Sequence, residues 1–105
     1  MRTLAFNVNS QQITKDPACD FSGLVAGTRN YLQAHFTFSH EWDDCLLVAS
    51  FWRGKKEYAV RIVDGVCDIP PEALVGATFR VSVTGQKGGY RIPTNRVTVR
   101  QEANR

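Results

Sequence analysis

His35, His40, Glu41, Asp43, Asp44 and Cys45 crowd one short stretch of the chain, and these are side chains that move protons, hold cations or attack electrophiles. Their spacing does not suit any of those tasks. His35 shares its parity with Tyr31, Gln33 and Thr37, the polar side of an alternating segment, and His40 sits at the corner that follows. Glu41, Asp43 and Asp44 are the densest carboxylate cluster. Neighbours in an extended chain point to opposite faces, so neither a converging acid pair nor a hard-cation site is expected there. Cys19, Cys45 and Cys67 form no Cys-x-x-Cys pair and have no histidine three or four residues away, which argues against zinc. No glycine-rich loop leads into a helix that could cradle a phosphate. The expectation is a protein with no catalytic, cofactor-binding or metal-binding residues, and not an enzyme.

The elements that would position these residues are strands. Leu32, Ala34, Phe36 and Phe38 alternate with polar neighbours, the period of a strand with one buried face. Ser39 to Asp44 makes a polar corner with Trp42 inside it, predicted as a core plug whose indole nitrogen finds a carbonyl. About eight strand candidates follow one another between turn signals, the rhythm of a sandwich. They are Thr3–Val8, Gln11–Lys15, 31–38, Cys45–Trp52, Tyr58–Ile62, Cys67–Ile69, 79–84 and a closing stretch from Tyr90 through Val99. Asp64-Gly65 is the strongest hairpin signal, and Arg53 to Lys56 and Lys87 to Gly89 read as hairpin tips. Asp16-Pro17 and Ser22-Gly23 bracket a loop expected to be mobile. Pro71 to Leu74 suits one helical turn, the only helix expected. One core should hold Phe36, Phe38, Trp42, Phe51, Ile69, Leu74, Phe79, Val81 and Val83. The fold class predicted is all-β: an antiparallel β-sandwich over residues 1–105 as a single domain.

Several pieces of this pattern occur in a recognisable order. They are Phe36 to Asp43, with its aromatic-x-aromatic-Ser strand and Glu-Trp-Asp corner, then Ala49 to Phe51, Cys67 to Pro70, Val81 to Gly85, and Arg91 to Asn95. Together they resemble a small immunoglobulin-like domain of structural proteins from phages and prophages of Gram-positive bacteria, often found at the N-terminus of baseplate or tail proteins. The resemblance covers nearly the whole chain. It implies an immunoglobulin-like sandwich, a virion localisation after synthesis in a bacterial cytoplasm, and other virion proteins as partners. Such proteins usually continue into a fibre or receptor-binding region, whereas this sequence ends at Arg105.

Composition fits one compact domain. At 105 residues the chain can bury roughly two-thirds of its unfolded surface, and 43% hydrophobic with 22% charged residues is ordinary globular material. No apolar run approaches the ~20 residues of a membrane helix, and Met1 to Ser10 lacks a signal-peptide pattern, so no membrane partner is expected. With three cysteines at least one is unpaired, and the strand B to strand F bridge of antibody domains is missing. The net charge of +3 and pI near 9.0 raise nucleic acid as a partner. Arg91, Arg96, Arg100 and Arg105 crowd the C-terminal third, but acids interrupt the basic residues along the chain and no aromatic-plus-basic stripe is visible, so nucleic acid is set aside.

What remains is interaction. Cys45 to Trp52 is apolar at both parities, so if Leu47, Ala49 and Phe51 face the core, Leu46, Val48 and Trp52 face away from it. Those three, with Tyr31 and Arg61 from strands that could lie alongside, are the candidate interaction surface. The function expected is a non-catalytic virion structural or adaptor module, of tail, baseplate or capsid, acting through protein contacts that include self-association as a homo-oligomer. The alternatives are a carbohydrate-binding module for a host surface glycan, with Trp52, Tyr31 or Tyr90 as its platform, and a small phage-encoded inhibitor of a host protein.

Overall fold

The computed structural model describes residues 1–104; Arg105, counted above among the basic C-terminal residues and the single domain, lies outside the described residues. Among the described residues nine strands run in chain order: β1 (Arg2–Asn9), β2 (Gln12–Lys15), β3 (Leu32–Phe38), β4 (Leu46–Arg53), β5 (Lys56–Arg61), β6 (Val66–Asp68), β7 (Thr78–Lys87), β8 (Tyr90–Pro93) and β9 (Val97–Arg100). They form two sheets packed as a β-sandwich. One has the order β2-β1-β3-β6; the other has the order β5-β4-β7-β8, with β9 also paired to β7. The ninth strand arises because the closing stretch breaks between Pro93 and Val97, so β8 lies along one half of β7 and β9 along the other.

The all-β sandwich forms as predicted, and three details of it differ. The sheets are not wholly antiparallel: β1 and β3 pair in parallel, Arg2 opposite Leu32 through Val8 opposite Phe38. The β1–β2 hairpin returns the chain to the middle of β1, Lys15 opposite Phe6, and a parallel partner needs a long connection, which residues 16–31 provide. That connection is not a loose loop. Leu24 is buried, Phe21 packs edge-on against Phe6 at 5.4 Å, and the Arg2 guanidinium donates to the carbonyls of Asp20 and Ser22 at 3.0 and 2.6 Å. Val25 also bridges Glu102. There is, moreover, a second 3-10 turn: Pro71–Leu74 forms as predicted, and His40–Trp42 adds another at the acidic corner. The Asp64-Gly65 turn is present with both residues at positive φ, but β5 and β6 on either side of it belong to different sheets.

The inner faces meet in one cluster. Phe36, Trp42, Phe51, Ile69, Leu74, Phe79, Val81 and Val83 are all buried within it, and Phe38 packs half-buried at its margin. Leu4, Phe6 and Val8 complete it from β1, as their alternation requires. Rings step through the interior from Phe6 to Phe36, Phe38 and Trp42 with centroids 5.5 to 6.1 Å apart. Trp42 plugs one end of the sandwich, and its indole N–H donates to the Ser10 carbonyl at 2.9 Å. Gly85 on β7 makes room for it: a Cβ at that position would lie 2.8 Å from the indole ring.

Candidate functional site

The acidic corner is a structural knot. The Glu41 carboxylate accepts hydrogen bonds from the Ser39 hydroxyl at 2.6 Å and the Ser10 hydroxyl at 2.8 Å. Those bonds, that from Ser39 foremost, hold its pKa below the usual glutamate range. They tie the β1–β2 turn to the 3-10 turn that positions Trp42. Asp43 pairs with exposed His40 at 3.2 Å, and Asp44 turns the chain at φ +62°. His35 stands alone on the outer side of β3. Among the described residues no group of three or more His, Cys, Asp or Glu is placed to hold a metal ion. The three cysteines are free; burial pushes the Cys67 thiol up to about 12, so it stays protonated as a small core side chain.

The outward face of the five-stranded sheet is different in kind. Ala49 and Phe51 are buried against the core, so Leu46, Val48, Ser50 and Trp52 of β4 share the opposite face. Register then sets their neighbours. Val48 lies between Arg61 and Thr84, Ser50 between Ala59 and Ser82, and Trp52 between Glu57 and Arg80. Leu46, Val48, Trp52 and Arg61 of the predicted surface are therefore brought together. Tyr31 is not: it is the last residue of the 16–31 connection, exposed just before β3 of the other sheet. Alternation fixed the side of its strand but could not say which sheet that strand would join.

Trp52 is half-buried, and its surroundings are polar. Its indole N–H donates to the Ser82 hydroxyl at 3.0 Å, while the Ser50 hydroxyl donates to the Glu57 carboxylate. Both serines are nearly inaccessible although they sit on the outer side of the sheet. The cover comes from the β8–β9 junction. Thr94 takes the Val83 N–H on its hydroxyl at 2.9 Å, and Asn95 turns toward β2, accepting the Ile13 N–H on its side-chain oxygen at 2.8 Å. This closes the open side of the sandwich and throws Arg96 back over the sheet. Its guanidinium lies 3.5 Å from the centroid of the Trp52 ring. A groove of about 240 Å³ runs between Ser50, Trp52, Glu57, Arg91 and Arg96.

The residues that patterning missed on this face are arginines. Arg80 faces outward beside Trp52, Arg91 opposite Gln86, and Arg100 opposite Thr78, all exposed. With Arg61 and Arg96 they make five arginines around one carboxylate, Glu57, which Ser50 already engages. Among the described residues none of the five has a carboxylate partner. The outward parity of Arg80 and Arg100 was visible along their own strands; their convergence depends on pairings between distant segments. No protein-family model matches the chain, and no curated protein matches it.

Proposed function

We propose that the chain is a non-catalytic docking module, a structural or adaptor domain of a phage virion at its tail, baseplate or capsid, working through the outer face of the five-stranded sheet. The phage assignment rests on the resemblance carried by Phe36 to Asp43, Cys67 to Pro70 and Arg91 to Asn95. The docking assignment rests on one observation: Leu46, Val48 and Trp52 line up on a face that the sandwich does not need to build its core, surrounded by arginines that have no acidic partner among the described residues. A polar residue at position 52 would serve the fold as well. An aromatic ring fixed by a hydrogen bond and a stacked guanidinium is the kind of preorganised anchor that interfaces use.

The carbohydrate alternative fits this geometry less well. A sugar-stacking platform needs an open aromatic face, and Arg96 already covers one face of Trp52. Tyr31 belongs to the other sheet, and the Tyr90 hydroxyl is turned toward Cys45 and the Glu41 carbonyl. An inhibitor of a host protein would use the same face and is separated from a virion module by the neighbouring genes. The test is the double variant Leu46→Ser/Trp52→Ser, followed by thermal melting, light scattering and pull-down with the products of adjacent genes. The expected result is a melting temperature within a few degrees of wild type with assembly or partner binding weakened at least about tenfold. Unfolding of the variant, or unchanged mass together with unchanged partner binding, overturns the assignment.

A further inference from the structure

We propose that this same face binds the phosphate backbone of double-stranded nucleic acid, without reading its sequence; the inference rests on the docking role of the face and names its partner. Judged along the chain, the basic residues are interrupted by acids. In the fold that interruption shrinks to Glu57, because the other acids sit in corners, turns and the opposite sheet while Arg61, Arg80, Arg91, Arg96 and Arg100 come to one side. Lys15, Lys55, Lys56 and Lys87 all lie off this face, at an edge strand or hairpin tips. The selection is thus for arginine, whose planar fork meets phosphate oxygens two at a time.

Spacing supports a polyanion over a single small anion. Arg91 and Arg100 pair with Gln86 and Thr78, eight residues apart on β7, so the row extends roughly 27 Å at about 3.4 Å per residue. Between them the Arg96 guanidinium sits over the Trp52 ring, 3.5 Å from its centroid. Thr78, Thr84 and Thr98 add hydroxyls to the same face, which also donate to phosphate. Protein-protein interfaces centre on a dry apolar patch with few charges, whereas nucleic-acid interfaces are polar and strongly positive. Here, among the described residues, Leu46 is the one large apolar side chain on the outward face that is strongly exposed, at 48%.

The test is fluorescence anisotropy with a labelled duplex of about 20 base pairs, long enough to underlie the whole row. About four phosphate contacts predict a salt slope near −3.6, so that affinity falls about 150-fold between 50 and 200 mM salt. Arg80→Ser/Arg100→Ser should weaken binding at 50 mM salt by at least about tenfold and shrink the slope by about two, with melting unchanged. Lys55→Ser/Lys56→Ser removes the same charge away from the face and should stay within about twofold of wild type. Equal losses in the two double variants, or no binding at up to about 100 µM protein, overturn the proposal. So does equally tight binding of polyglutamate of matched charge; that result would assign the face to an acidic protein and leave its docking role standing.

Discussion

The two outer faces of this sandwich are built alike and decorated differently. On the four-stranded sheet, Thr3, Ala5, Asn7, Gln33, His35 and Thr37 point outward, with Asp68 the carboxylate at the β6 edge. On the five-stranded sheet the corresponding positions carry Trp52, two buried serines and five arginines. A sandwich asks for apolar side chains only on its inner faces, so either outer set would serve folding. The first is what such a face looks like when nothing but solubility acts on it. The second concentrates like charge, which costs stability, and fixes a tryptophan outside the core. That asymmetry is the reason for assigning binding to one sheet and not to the other.

The comparison breaks first if inner and outer residues do not separate energetically. Phe79 is fully buried on the inner side of β7, directly before outward Arg80. Phe79→Ala should cost about 3–5 kcal/mol, measured by urea denaturation at constant m-value, because the ring leaves a cavity the surrounding strands cannot close. A loss below about 1 kcal/mol would mean that burial does not distinguish the two sides. Gly85→Ala comes next, at about 1–3 kcal/mol. The added methyl meets the Trp42 ring at 2.8 Å and Cys45 Cβ at 3.4 Å, and Trp42 cannot retreat without losing its bond to Ser10. Stability equal to wild type would show that the plug is loosely held.

These inner positions were largely legible in the sequence. Phe36, Phe79, Val81 and Val83 follow from strand alternation, and Trp42 from being the one large apolar side chain in a polar corner. Gly85 was legible only as a residue of the Val-x-Val-x-Gly stretch; its reason, the indole lying on it, comes from a contact between segments more than forty positions apart. The outer face was half legible. Alternation within β4 put Leu46, Val48 and Trp52 together, since a strand carries its own parity. It misplaced Tyr31, because parity does not say which sheet a strand enters. The parallel pairing of β1 and β3 and the gathering of arginines escaped for the same reason: both are set by register between strands that meet only after the chain has folded.

The smallest effect sharpens the comparison most. If the arginine face is spare to the fold, converting Arg80 to the kind of residue found on the other sheet should not harm stability. Arg80 is exposed, its side chain makes no hydrogen bond or ion pair among the described residues, and it lies across the ladder from Trp52, over which Arg96 is placed. Its charge is therefore opposed mainly by other guanidinium groups. Threonine has the higher strand propensity of the two and matches Thr98 opposite. Arg80→Thr should raise stability slightly at low salt, by up to about 0.5 kcal/mol, or about 2–4 °C in a domain of this size. Screening weakens repulsion between exposed charges, so the difference should shrink as salt rises from 0.01 to about 0.15 M, where the Debye length falls from about 30 to 8 Å. Melting curves of wild type and variant at the two salt concentrations measure it directly. A variant destabilised by more than about 1 kcal/mol at both would give Arg80 a part in holding the sheet together, and the surplus of arginines would no longer mark a face kept for a partner.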